Sequence, residues 1–532
     1  MNPTPTTGMA PVSPKSLPPY APTPTVDFTK PEHRAAFEQA LAGVRAEFGR
    51  EYPAVVGGER IKGSGTFESR NPARPAELLG TFQSSTKEQA SKAVETAQRA
   101  FASWSRVPAA ERVAYLIEAA KRMRERRHTF SAWMVYEVGK SWAEADADTA
   151  EAIDFLEFYA REMLRYDAPD PIVQLPGEKN HLVYLPLGVG AVIPPWNFPL
   201  AICVGMTSAA VVAGNTVVLK PSSDAPAIAW QFFQLMEEVG LPPGVINFVT
   251  GSGGTVVDTI VRHAKTRFVS FTGSKEVGIG INRLAAEVQP GQIWLKRVIA
   301  EMGGKDAIIV DDEADLDAAA LGVAQSAYGF QGQKCSACSR AIVTEKVYDA
   351  FLQKLKPLVD RIAIGEPDQF GVALGPVVNQ KARDTILAYI EAGKKEGRLI
   401  AGGGAVEGKE GWFVQPTVIA DVNPNAKIAQ EEIFGPVLAV IPVKSYDEAL
   451  AVANGTDYGL TGAVYTRNPD KIERARREFF VGNLYINRKC TGAIVGAHPF
   501  GGFNMSGTDS KAGGRDYLLL FLQAKSVAEK VG

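Results

Sequence analysis

The chain has 532 residues, a net charge of −2, and 45% hydrophobic and 22% charged residues. That size suits two to four domains with large cores, and near-neutrality removes any electrostatic ground for a nucleic-acid or anionic-membrane partner. Four cysteines cannot staple a chain this long, so they point to a reducing compartment, the cytoplasm.

Residues 1–25 carry eight prolines among Thr, Ser and Ala, without the basic start and apolar block of a signal peptide. Such a segment cannot bury enough surface to offset its ordering entropy, and a disordered or wrapped tail is expected. From about Thr86 to Arg165 the pattern is helical. In "EAIDFLEFYAREMLR", Ile153, Leu156, Ala160, Met163 and Leu164 fall on one face. Four prolines then break residues 165–188 into an extended or hairpin-like stretch. The most apolar run, residues 198–214, holds Pro199, Thr207 and Ser208 and is shorter than the roughly 20 residues a bilayer needs. It reads as a buried helix, and no membrane span is expected.

From Leu185 onward short β-branched runs alternate with helical ones: "LGVGAVIP", "TVVLKPSS", "GVINFVTG" and "RFVSFTGS" are strands. A second series follows Glu301, with strands "DAIIVDD" and "RAIVTEKV". This is the pattern of two successive α/β units with parallel sheets covered on both faces.

Four segments carry chemistry. "GFQGQKCSACSR" places Cys335 and Cys338 three apart. Zinc would need further ligands, but Cys203, Cys490 and the five histidines are scattered, so no metal site is expected. The pair ends a helix rather than opening one, unlike a thioredoxin-type redox motif. A nucleophile behind a Gly-Gln turn and two packing cysteines both remain open. "AEMGGKD" sets Glu301 before two glycines, either a strand-end functional group or a solvated loop residue. "PPWNFP" holds Asn197 rigidly, as an amide donor for an oxyanion or as a packed turn. "FTGSKEVG" runs strand, Gly-Ser turn, helix, a geometry that can receive a pyrophosphate at the helix start. No GxGxxG, Walker A or GxSxG motif occurs; the "GKS" at residues 139–141 lacks the first P-loop glycine.

Taken in order, "PPWNFP", "VLKPS", "FTGS", "EMGGKD", "GQKCSA", "EEIFGPV" and "PFGG" resemble the aldehyde dehydrogenase superfamily across residues 193–502. The resemblance implies an α/β fold with two Rossmann-like parallel-sheet domains and a small bridging β-element for oligomerisation. The implied limits are a Pro-rich extension (1–30), a dinucleotide-binding domain (31–164 and 187–300), a catalytic domain (301–505) and the bridge (165–186 and 506–532). It implies Cys335 as nucleophile, Asn197 as oxyanion donor and Glu301 as general base, with Cys338 a packing residue. The helix and glycine context, a nearby amide donor and a bound dinucleotide cation would favour a thiolate at Cys335.

The same resemblance implies cofactor contacts from Pro195, Trp196, Lys220, Ser223, Gly273, Ser274, Gly278, Glu432 and Phe434. Many NAD-preferring members carry Glu where this chain has Ser223. A carboxylate there would repel a 2′-phosphate, whereas Ser223 with Lys220 nearby would tolerate one, so NAD is expected as main cofactor and NADP as a weaker second. "GQKCSACSR" and "CTGAIVGAHPFGG" look most like the branch that oxidises L-glutamate γ-semialdehyde, formed from 1-pyrroline-5-carboxylate in proline catabolism, to glutamate. In that branch Ser336, Gly492 and Ala493 would hold the substrate carboxylate, and Phe198 and Phe500 would wall the tunnel. A homo-oligomer, dimer or higher, is implied, and a proline dehydrogenase is a candidate partner. Rival readings are a dehydrogenase for another semialdehyde, such as succinate semialdehyde, and a cysteine thioesterase or esterase without hydride transfer.

Overall fold

The computed structural model describes residues 8–13, 16–168 and 172–531. Parts of the proline-rich extension (1–7 and 14–15) and of the expected bridge (169–171) lie outside the described residues. Two seven-stranded sheets organise the rest. The first runs, in spatial order, Arg297–Glu301, Thr266–Thr272, Val189–Ile193, Thr216–Leu219, Ile246–Phe248, Ala54–Val56 and Glu59–Ile61. Its first five strands are parallel, and the last two add antiparallel. The second runs Arg398–Ala401, Thr417–Ala420, Val437–Val443, Arg340–Thr344, Ala307–Val310, Thr461–Tyr465 and Asn483–Ile486, parallel except at its first pair.

Strands such as Val189–Ile193 and Arg340–Thr344 are buried along their whole length. Helices cover both faces of their sheets, which is why these strands read as continuous apolar runs. Residues 50–84, outside the sequence expectations, form a further three-stranded sheet from Arg50–Tyr52, Gly65–Asn71 and Arg74–Ser84. Gly65–Asn71 carries a single apolar side chain, Phe67, and Arg74–Ser84 mixes polar and apolar residues, so no β-branched run marks them.

The long helix Trp142–Asp167 packs against Ala109–Glu125 and Ala201–Val212. Just before it, Gly139 adopts φ 72° as the left-handed end of the helix Arg127–Val138, a conformation suited to glycine. This is the "GKS" segment, and its lysine is structural. Lys140 Nζ is fully buried, 2.8 Å from Asp148 Oδ2, and the other Asp148 oxygen accepts from Ala201 N at 2.7 Å. The same ammonium sits 4.0 Å from the Phe198 ring and 4.6 Å from the Phe330 ring, so it braces both from behind.

Glu178–Pro186 and Leu522–Lys530 pair antiparallel as an isolated two-stranded ribbon. Residues 506–521, by contrast, turn back onto the body. Gly507 bridges Glu301, and Tyr517 stacks on Tyr159. Among the described residues no helix is long and apolar enough to cross a membrane.

Candidate active site

Cys335 lies between the helix Leu316–Tyr328 and the strand Arg340–Thr344. The intervening turn is unusual: Phe330 and Gln331 take φ 49° and 57°. Left-handed backbone at non-glycine residues costs on the order of 1–2 kcal/mol each. Side-chain bonds hold it there. Gln331 Nε2 donates to Gly139 O (2.9 Å) and Pro376 O (2.7 Å), and Gln333 Oε1 accepts from Val378 N (2.9 Å). Gly304 packs so closely on this loop that a Cβ would strike the Cys335 carbonyl.

Cys335, Glu301, Ser336, Phe198, Phe500, Gly492 and Ala493 all line one cavity of about 640 Å³. Asn197 is buried beside it, and its Nδ2 donates to Gln333 O at 3.2 Å, inside the loop that carries Cys335. That bond uses one of two amide protons and leaves the other to donate elsewhere. Cys338 is packed away, its thiol on Arg340 O (3.4 Å); the Cys490 thiol likewise meets Ser336 O (3.4 Å).

Burial pushes the Cys335 thiol well above its usual range, and the carboxyls of Asp306, Glu301 and Glu432 add to the shift. The expected thiolate is therefore not a property of the ligand-free loop: its glycine and helix context is outweighed by desolvation and acidic neighbours. Glu301 ends the strand Arg297–Glu301. Burial pushes its carboxyl up to about 8, against Ser510 and Lys511, which stabilise the charged form. Ser510 Oγ donates to Glu301 Oε1, while Oε2 is buried without a hydrogen-bond partner among the described residues. A Cβ on Gly501 or Gly507 would stand 3.0 or 3.4 Å from the Glu301 carboxylate, so these glycines let the backbone approach it closely.

Strand ends of the first sheet gather the expected cofactor residues. Pro195 and Trp196 follow Val189–Ile193, Lys220 and Ser223 follow Thr216–Leu219, and Gly273 and Ser274 follow Thr266–Thr272. Ser274 caps the 12-residue helix Lys275–Ala286, accepting from Val277 N. Gly278 lies in that helix's first turn, where a Cβ would strike Met302 Sδ. Lys220 is buried, and burial pulls its ammonium down to about 8; no carboxylate among the described residues lies within salt-bridge distance of it. Glu432 accepts from Gly304 N at 2.9 Å, and a Cβ on Gly303 would strike its carboxylate. Phe434, at φ 56°, meets the Trp196 ring edge-on at 5.4 Å. A lone buried ammonium, an open helix N-terminus and a buried carboxylate at neighbouring strand ends fit the diol, pyrophosphate and ribose groups of a dinucleotide.

Several cavity residues had no sequence signal. Arg488 Nη2 donates to the carbonyls of Thr491 (3.1 Å) and Gly492 (3.2 Å). Because C=O and N–H point oppositely across a trans peptide, this turns the Gly492 and Ala493 N–H groups the other way. Neither N–H donates to another group among the described residues. Glu144 pairs with Lys334 at 2.7 Å at the cavity wall, with Lys489 nearby. Glu151 also lines it, its carboxyl pushed up to about 8 by burial and then by Asp148. Helical spacing gives Glu144 and Glu151 the look of solvated residues, and only the packed fold turns them inward.

Known proteins share this arrangement over nearly the whole chain. Residues 61–527 match the aldehyde dehydrogenase family. A protein of Geobacillus thermodenitrificans (strain NG80-2) named 1-pyrroline-5-carboxylate dehydrogenase is 57% identical over 511 residues, covering 96% of this chain and 99% of the relative. A crystallographic 1-pyrroline-5-carboxylate dehydrogenase from Thermus with bound NAD superposes with a TM-score of 0.95 at 51% identity, covering 97% of this chain and all of the other. Betaine aldehyde dehydrogenase from Staphylococcus aureus in complex with NAD+ superposes at 0.86 with 30% identity, covering 93% and 98%. The chain belongs to the aldehyde dehydrogenase family.

Proposed function

We propose that this chain oxidises L-glutamate γ-semialdehyde, the open form of 1-pyrroline-5-carboxylate, to L-glutamate with NAD. The observation that carries the reading is a single cavity lined by Cys335, Glu301 and the outward-donating amides of Gly492 and Ala493. The similarity to 1-pyrroline-5-carboxylate dehydrogenases over nearly the whole chain supports it.

In the proposed mechanism the Cys335 sulfur bonds to the aldehyde carbon as its thiol proton leaves to solvent. The carbonyl oxygen becomes an oxyanion, received by the Asn197 amide and the Cys335 N–H. When bound, the nicotinamide dinucleotide supplies the acceptor for the hydride leaving that carbon, and a thioester remains on Cys335. Glu301 then takes a proton from water as the water oxygen bonds to the thioester carbon. Carbon–sulfur cleavage releases the acid and returns the thiolate.

Ser336 and the Gly492–Ala493 amides form the anion nest for the substrate carboxylate. Glu151, without a salt-bridge partner among the described residues, faces the α-ammonium. Phe198 and Phe500 wall the aliphatic part. Lys220 and Ser274 take the adenosine ribose and pyrophosphate, and Glu432 the nicotinamide ribose, with Pro195, Trp196, Gly273, Gly278 and Phe434 shaping the trough. Ser223 is exposed and uncharged and sets no repulsion against a 2′-phosphate, so NADP is tolerated as a second cofactor beside NAD. Four unpaired cysteines suit a reducing compartment. An upstream oxidation of a cyclic amino acid must supply the substrate. A proline utilization A protein from Bdellovibrio bacteriovorus superposes over 96% of this chain but only 53% of its own, leaving room there for a further activity.

Initial rates of NADH formation are expected to favour glutamate semialdehyde over succinate semialdehyde and propanal by at least about tenfold in kcat/KM. Equal rates would contradict the substrate reading, and hydrolysis of esters without NADH formation would favour the esterase. Because Glu301 works deprotonated and its carboxyl lies near 8, thioester hydrolysis in single turnovers is expected to climb with pH up to about 8 and level off above. A flat profile from pH 6 to 9 would remove Glu301 from that role. The ribbon Glu178–Pro186 with Leu522–Lys530 exposes Val183, Leu185 and Val527, which suits burial against a second copy by strand addition. Sedimentation is expected to show a dimer or larger at micromolar concentration; a monomer would contradict this.

A further inference from the structure

The proline-rich extension reaches the cavity. Pro22, Thr23, Pro24 and Thr25 line it, and Pro22, Pro24 and Thr25 are exposed, which puts them at its rim. This strap is tied along the helix Trp142–Asp167. Arg161 donates to Pro18 O from Nε and Nη2, both at 3.1 Å. Thr23 N donates to Asp154 Oδ1 (2.8 Å), and Val26 N to Asp146 Oδ2 (2.7 Å). Arg127, itself paired with Asp146, donates to Pro24 O at 2.8 Å. Prolines fix the extended backbone between these ties and restrict the chain before it docks.

Tyr20 is the strap's contact with the substrate loop. Its hydroxyl donates to Val495 O at 3.1 Å, and its ring meets Phe158 edge-on at 5.2 Å. Gly496 lies beneath both rings at φ 78°, with room for no side chain: a Cβ would stand 2.9 Å from Tyr20 and 3.1 Å from Phe158. The loop is held at several points, since Ile494 N donates to His498 Nδ1 (3.2 Å) and Gly496 N to Gly513 O (2.8 Å). Arg488 holds the carbonyls of Thr491 and Gly492 at one end, and Tyr20 holds that of Val495 at the other. Gly492 and Ala493 lie between them, with Gly492 and Ile494 exposed and little packing to fix their orientation.

We propose that Tyr20, on the strap of residues 18–26 at the cavity rim, is a positioning residue that preorganises the Gly492–Ala493 amides for a carboxylate-bearing substrate. The proposal rests on the reading of those amides as the carboxylate's holder. An amide nest binds an anion well only if its N–H vectors are fixed beforehand, because ordering a loose loop subtracts from affinity. Tyr20 touches neither the reacting carbon nor the dinucleotide trough, so its effect falls on KM for one substrate class.

The test compares wild-type protein with full-length Tyr20→Phe, which keeps the ring and deletes only the hydroxyl, and with Tyr20→Ala. Glutamate semialdehyde and propanal, which lacks a carboxylate, are each assayed with saturating NAD, and melting temperatures are recorded. Tyr20→Phe is expected to raise KM for glutamate semialdehyde about threefold to tenfold, the scale of one lost hydrogen bond. Its kcat, and both constants for propanal, should stay within about twofold. Tyr20→Ala should widen the gap between the two aldehydes; if it does not fold, Tyr20→Phe decides alone. Unchanged kinetics in Tyr20→Phe, or equal losses on both aldehydes, would overturn the positioning role while leaving the carboxylate reading standing. A wild-type enzyme without preference for the carboxylated aldehyde would overturn that reading and this proposal with it.

Discussion

The site depends on one strained turn. Phe330 and Gln331 hold left-handed backbone that their side chains disfavour, and the fold keeps them there by burying Gln331 and Gln333 in hydrogen bonds to Gly139, Pro376 and Val378. Those partners come from the helical layer of the first domain and from a loop of the second. The turn is thus where both halves of the molecule fix the position of one sulfur. Lys140 reinforces it from the same side, because its ammonium lies under both Phe330 and Phe198. A change at the "GKS" segment would reach the cavity without touching any reacting group.

Electrostatics follow from that placement. Cys335 and Glu301 come from different sheets but share one cavity, and burial pushes both toward their neutral forms. A resting thiol and a protonated carboxyl protect a ligand-free site from stray chemistry. A cation brought to the trough would shift the balance toward the thiolate, and a carboxyl near 8 keeps a usable basic fraction at neutral pH. The arrangement couples reactivity to occupancy.

Much of this was legible in the sequence, and the limit of legibility has a physical cause. The parallel sheets announced themselves because strands buried on both faces must be apolar throughout, as in Val189–Ile193. The chemistry was written in short motifs whose residues act within a few positions of one another, such as Ser274 capping its own helix at Val277 N. What stayed hidden depends on contacts between distant segments. Tyr20 and Val495 are 475 positions apart, and Ser510 meets Glu301 across 209. Arg488, Glu144 and Glu151 look like ordinary surface charges until packing turns them toward the cavity. The small sheet of residues 50–84 escaped because its strands mix polar and apolar residues with no β-branched run. The thiolate expected at Cys335 depends on a bound dinucleotide cation as well as on the loop, and local context alone does not report the carboxyls that folding gathers around it.

The central claim is that a carbonyl carbon becomes covalently bound to Cys335 and is released only through Glu301. Intact-protein mass spectrometry of Glu301→Gln after incubation with NAD and glutamate semialdehyde tests it most directly. The account predicts a stoichiometric acyl adduct that maps to Cys335, forms with one equivalent of NADH and is absent from Cys335→Ala. An unmodified Glu301→Gln protein that still turns over at the wild-type rate would contradict it.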